Sequence, residues 1–151
     1  MKNFIKNRKG FTLVELVVVI AILGILAGLA IPRFMDATAT ARGARIVADL
    51  RTIDSAIMMY NAKTGTLPGG IDELTKDDPG NKSYKLLVVE PTPPTGDAIF
   101  PSQANTNKTA ISVAEYSYNE GNGRATINIG GKEYTAEALS AGGSYAGSKN
   151  G

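Results

Sequence analysis

The sequence predicts an α+β fold: a long N-terminal helix, apolar in its first half and amphipathic in its second, packed on a small antiparallel sheet. Residues 11–31 (FTLVELVVVIAILGILAGLAI) contain a single charged side chain, Glu15. Residues 33–62 keep a helical period, and residues 114–136 alternate with strand period between glycine pairs. A chain of 151 residues suits one compact head beside such a helix.

Composition narrows the chemistry. There are 16 basic and 14 acidic side chains, no His and no Cys. Without Cys there is no disulfide framework, thiol nucleophile or thiolate metal site. Without His, the commonest general base and metal ligand is missing, and Ser-His and Cys-His catalysis are excluded. No spacing of carboxylates reads as an enzyme motif, and no cofactor or metal is expected. The charge is uneven: Lys2, Lys6, Arg8 and Lys9 stand in the first ten residues with no acid among them, and the remainder is mildly acidic. Loss of those ten residues would leave a poor nonspecific ligand for nucleic acid, whose affinity comes from neutralised phosphates.

The first half of the helix, residues 11–31, would span roughly 32 Å, about the thickness of a bilayer core. The basic decapeptide before it should stay cytoplasmic, which sends the rest of the chain outward. A secretory signal peptide would explain the basic start, with Gly28-Leu29-Ala30 as a small-x-small cut. The run is long for that, however, and Glu15 lies inside it. A plain membrane anchor explains the length but gives Glu15 no role. A carboxylate there costs up to about 2.5–3.5 kcal/mol on insertion scales.

Lys9-Gly10-Phe11-Thr12-Leu13-Val14-Glu15 is specific. It resembles the cleavage and methylation motif of the type IV pilin family, which includes the pseudopilins of type II secretion. The resemblance is strong over residues 8–36 and weaker to about residue 62. It implies that a membrane prepilin peptidase cuts between Gly10 and Phe11, and that the new amine of Phe11 is N-methylated. Gly10 then matters because it presents no side chain to the peptidase. The apolar run stays with the mature chain, first as anchor and then as filament core. For Glu15 the resemblance implies assembly. A carboxylate and the Phe11 ammonium are each costly when buried alone, and pairing Glu15 with the amine of a neighbouring subunit removes both penalties.

The resemblance further implies a structural subunit of a type IV pilus (a fimbrium), with adhesion or twitching motility as its uses. A pseudopilin of a secretion or DNA-uptake machine is the alternative, and a membrane-anchored or secreted binding module a remote one. Expected partners are other copies of the chain, minor pilins, the peptidase, the inner-membrane assembly platform and, before assembly, lipid. The expected location is the inner membrane, crossed once with the N-terminus cytoplasmic, and then an extracellular pilus.

Gly24 and Gly28 form a small-xxx-small pair on one helix face. Pro32 lacks an N–H, so the carbonyl of Gly28 loses its helical partner. A kink or locally melted stretch is expected around residues 24–32. Beyond it, Ile46, Leu50, Ile53, Ile57 and Tyr60 make one helix stripe, with Arg42, Arg45, Asp49, Arg51 and Asp54 expected on the opposite side. Residues 36–44 (DATATARGA) are small and polar, and tolerate close neighbours.

Gly65 and Pro68-Gly69-Gly70 end the helix, and 71–76 (IDELTK) reads as a short helical turn. Residues 77–83 are turn-forming, 84–90 (YKLLVVE) an extended segment, and 91–97 (PTPPTGD) a proline-rich loop. Strands are expected at 114–119, 124–129 and 132–136, joined by turns at Gly121-Asn122-Gly123 and Gly130-Gly131. The organisation expected is a leader at 1–10, a membrane and filament-core segment at 11–35, a head at 36–139 that includes the half-helix 36–62, and a flexible tail at 140–151. Asn81-Lys82-Ser83 and Asn107-Lys108-Thr109 match the glycosylation pattern, a common chance occurrence. Asp72, Glu73, Asp77 and Asp78 do not match a calcium loop.

Overall fold

The computed structural model describes residues 10–76, 85–103 and 107–142. The order of elements is α1 (Leu13–Thr64), a 3-10 turn (Ile71–Thr75), β1 (Gly96–Ala98), β2 (Thr109–Ile111), β3 (Ser117–Asn119), β4 (Arg124–Ile129), β5 (Lys132–Tyr134) and α2 (Ala136–Ala141). The α+β expectation holds. Two compact units are formed, Met1–Asp36 and Ala37–Gly151. In the first unit, every described side chain is exposed.

α1 is helical without a break from Leu13 to Thr64, with Pro32 inside it. The melted stretch expected around residues 24–32 is therefore not seen. Proline's fixed φ suits a helix, and one missing hydrogen bond does not unwind the turns on either side. Neither Gly24 nor Gly28 takes a positive φ.

The second unit is built on the stripe read from the sequence. Ile46, Leu50, Ile53 and Ile57 are fully buried, and Tyr60 packs at their edge. They meet Ala125 and Ile127 of β4, together with Phe100, Tyr116 and Leu139. β3, β4 and β5 form an antiparallel meander in which Tyr118 pairs with Ala125 and Ile127 with Tyr134. One face of this sheet therefore supplies the core. The β4–β5 turn runs through Gly130 and Gly131, both at positive φ, as a two-residue hairpin of this hand requires.

Asp54 departs from its expected place on the polar side. It is 7% exposed, and its carboxylate accepts from the Ala125 N–H at 2.8 Å and from Arg124 Nε at 3.0 Å. A carboxylate beside the apolar stripe can go inward when the sheet offers two donors.

The strands are shorter than expected. β3 starts at Ser117, and β5 ends at Tyr134 because Thr135 caps α2, its Oγ1 accepting from the Ala138 N–H at 3.3 Å. α2 continues through Ser140 and Ala141, so the start of the expected tail is helical. Gly96 and Asp97, read as loop, belong to β1, which pairs antiparallel with β2. Residues 85–90 form no strand; Leu87 is tied by its N–H to the Leu74 carbonyl at 2.9 Å. The leader up to residue 9, the segment 77–84 with its sequon, and the tail from 143 onward lie outside the described residues.

Small residues let the passage around β1 lie directly on α1. The Ile99 N–H donates to the Ala39 carbonyl at 3.0 Å, and Arg42 Nη1 to the Asp97 carbonyl at 3.1 Å. A Cβ placed on Gly43 would lie 2.0 Å from the Ile99 oxygen.

Candidate functional site

The sequence-predicted site residues Gly10, Phe11 and Glu15 fall at the start of α1. Residues 10–12 are not helical, and α1 begins at Leu13. Gly10 has open space around its Cα, and Phe11 is 84% exposed. The structure brings Glu15 to Thr12. The Thr12 N–H and hydroxyl both donate to Glu15 Oε2 at 2.9 Å, and the Glu15 N–H donates back to Thr12 Oγ1 at 3.2 Å. This is a capping box: Thr12 at the N-cap and Glu15 three residues on satisfy each other's orphan donors. The Thr-x-x-Glu signal stood in the sequence and went unread there, because Glu15 was considered only as a charge. Both contacts use one carboxylate oxygen, and among the described residues none is made by Oε1.

From this cap onward α1 is a bare apolar rod. Val14, Leu16, Val17, Val18, Val19 and Ile20 begin a series of exposed large side chains that runs to Met35. By length and composition this helix can cross a membrane. Leaving so many apolar side chains in water is unfavourable, so this surface calls for lipid or other helices around it. Gly28 and Pro32 stand one helical turn apart within the rod. The space beside Gly24 and Gly28 is open.

In the second unit, four polar ties among the described residues hold α1 to the rest of the head. Asp54 binds Arg124, whose guanidinium also reaches Glu137 of α2 at 3.5 Å. Burial lowers the Arg124 pKa, but Asp54 and Glu137 together outweigh it, and the net shift is upward. The Tyr116 hydroxyl donates to Asp49 Oδ2 at 2.9 Å. Burial, then that hydrogen bond and the charge of Asp49, push the Tyr116 phenol well above its ordinary range. Ile99 with Ala39, and Arg42 with the Asp97 carbonyl, make the other two ties. Among the described residues, no group of three metal-ligating side chains occurs. A groove of about 200 Å³ lies between Phe100, Gln103, Thr109, Tyr134 and Leu139, below the usual size of a small-molecule site.

Residues 5–31 match the prokaryotic N-terminal methylation motif. A fimbrial protein of Pseudomonas aeruginosa is 34% identical over 103 residues, which cover 68% of this chain and 63% of that protein. A type II secretion system core protein G of the same species is 35% identical over 83 residues, 53% of this chain and 58% of that protein. The type IV narrow pilus major component of Thermus thermophilus is 42% identical over 60 residues, 40% of this chain and 52% of that protein. The chain thus spans between about half and two thirds of these relatives' lengths. No solved structure matches it. With the methylation motif at its start, the bare apolar helix behind it and relatives of both kinds, the chain belongs to the family of type IV pilins and type II secretion pseudopilins.

Proposed function

We propose that this chain is a structural subunit of a type IV pilus, made as a precursor. In this reading prepilin peptidase cuts after Gly10 and Phe11 is N-methylated. The subunit waits in the inner membrane with its N-terminus cytoplasmic, then joins an extracellular helical polymer through the apolar half of α1. The observation that carries the reading is the uncovered apolar rod with a capped carboxylate at its first turn. The capping box supplies Glu15 with donors inside lipid, and its unoccupied Oε1 suits the Phe11 ammonium of a neighbouring copy. The assembly partners are then other copies, minor pilins and the inner-membrane platform.

A pseudopilin of a secretion or DNA-uptake machine is the second reading. It is favoured by the nearly equal identity to the core protein G, 35% against 34% for the fimbrial protein. The two readings share everything along α1. They separate on whether surface appendages contain this chain as their major protein.

Mass spectrometry of the N-terminal peptide from membranes and sheared filaments tests the processing. The expected mature chain begins at Phe11 with one N-methyl group. A chain starting at Met1 or Ile31 would sink the reading. Two Glu15 substitutions separate the cap from the charge. Gln at position 15 can still complete a capping box, but it has no charge for an incoming amine. Both Glu15→Gln and Glu15→Val should be membrane-inserted and cut, and both should fail to assemble. Burying one half of an ion pair costs about 3–5 kcal/mol. Normal filament yield from Glu15→Gln would show that the cap, and not the charge, is what assembly needs.

A further inference from the structure

Within the head, the described large apolar side chains left exposed are Met58, Met59, Leu67, Val88 and Val89. Two of these groups differ in their charged surroundings. Met58 and Met59 share a face of α1 with Arg51, seven and eight positions before them. Arg51 is exposed and makes no ion pair among the described residues. Val88 and Val89, 82% and 75% exposed, lead into Glu90. Glu90 lies near enough to Glu115 and Asp72 that burial and then their like charges push its carboxyl upward. Asp72 has Lys76 at 2.6 Å, but neither Glu90 nor Glu115 has an ion pair among the described residues. One surface is therefore apolar with an unpaired cation, and the other apolar with unpaired anions.

We infer that the Val88-Val89-Glu90 surface of one copy docks on the Arg51-Met58-Met59 face of α1 in the next copy. The occupant is a second copy of this chain because the chain itself supplies both halves, complementary in charge as well as in apolar character. Joining two different patches makes the contact heterologous, and repeated heterologous contacts build open helical polymers. The inference rests on the polymer reading above and adds the head contact that sets its register. A cation from the partner also relieves the repulsion at Glu90, which has no ion pair among the described residues.

The absence of cysteine makes the test clean. Filaments of a Met59→Cys/Val88→Cys chain, treated with a short bismaleimide, should give a ladder of covalent multimers on a denaturing gel. Each single variant should stay monomeric. Arg51→Glu should lower filament yield by about tenfold or more, since like charges across a contact are strongly unfavourable. Adding Glu90→Arg to the same chain should restore it. Circular dichroism of both variants in detergent should match the parent. Monomers alone from the double-cysteine filaments would overturn the inference, and so would dimers from Val88→Cys alone. An Arg51→Glu chain that assembles normally, or is not rescued, would also overturn it. If the unsubstituted chain forms no filaments at all, it is the polymer reading that fails.

Discussion

Replacing Gly43 by Ala should destabilise the head, although alanine is the better helix former. The new Cβ would lie 2.0 Å from the Ile99 oxygen and 2.6 Å from its carbon. Close carbon–oxygen contacts between backbones are about 3.3 Å, so residues 97–100 must retreat by roughly 1.3 Å. That movement loosens the Ile99 N–H bond to Ala39 and unseats Phe100, which is buried. A buried donor left unpaired costs about 1–3 kcal/mol, and overpacking costs about 1–3 kcal/mol. The helix gains back about 1 kcal/mol on losing a glycine. The net loss is about 3 kcal/mol, which for a head of this size lowers Tm by roughly 10–20 °C. The assay is thermal unfolding of the full chain in detergent, followed by near-ultraviolet dichroism of the head tyrosines. Gly24→Ala is the control, since nothing lies within 4 Å of its added Cβ; its Tm should be unchanged or higher. A Gly43→Ala chain as stable as the parent would refute the close-approach reasoning.

Other outcomes follow from the same contacts. Asp54→Ala should cost about 3 kcal/mol, because it strands the Arg124 charge and the buried Ala125 N–H; Asp54→Asn keeps an acceptor and should cost roughly half, read by urea unfolding. Thr126→Val should stabilise by about 1 kcal/mol, since the Thr126 hydroxyl is buried with no hydrogen-bond partner among the described residues; a lower urea midpoint would show that the hydroxyl is satisfied in solution. The raised phenol of Tyr116 leaves stability intact below about pH 10, where the unfolded phenol is also neutral. Above that pH the unfolded chain ionises first, so stability falls, and Tyr116→Phe should flatten that fall. Pro32 and Gly28 should mark a soft point or kink in assembled filaments, seen as faster hydrogen exchange at residues 24–32 than at 46–60; equal protection would show that packing overrides the missing bond.

The long helix was legible because two independent patterns, an unbroken apolar run and a 3.6-residue stripe, meet end to end. The Gly130-Gly131 turn was legible because few residues tolerate two consecutive positive φ values. Reading polar residues as outward placed Asp54 wrongly, since its donors lie about seventy residues away in β4. β1 escaped notice because Gly96 and Asp97 are poor strand formers; backbone pairing with β2 and the docking on Ala39 and Gly43 make it a strand. α2 lay hidden behind a strand-like stretch, although Thr135 is a good N-cap. At the candidate site, Gly10, Phe11 and Glu15 were found by motif, but the Thr12 partner of Glu15 was not, because attention stayed on charge and not on the orphan donors of a helix start.

The polar ties between α1 and the rest of the head have a mechanical consequence. They attach at Ala39, Arg42, Asp49 and Asp54, which spreads them over about 22 Å of the helix. A pull along the axis of this part of α1 loads all of them at once, together with the buried stripe between them. Each tie then carries a share of the force, and none opens before its neighbours, whereas a sideways pull at Asp36 would reach Ala39 first and open the ties in turn. Tension carried along the helix between Ala39 and Asp54 therefore meets the head in its strongest direction.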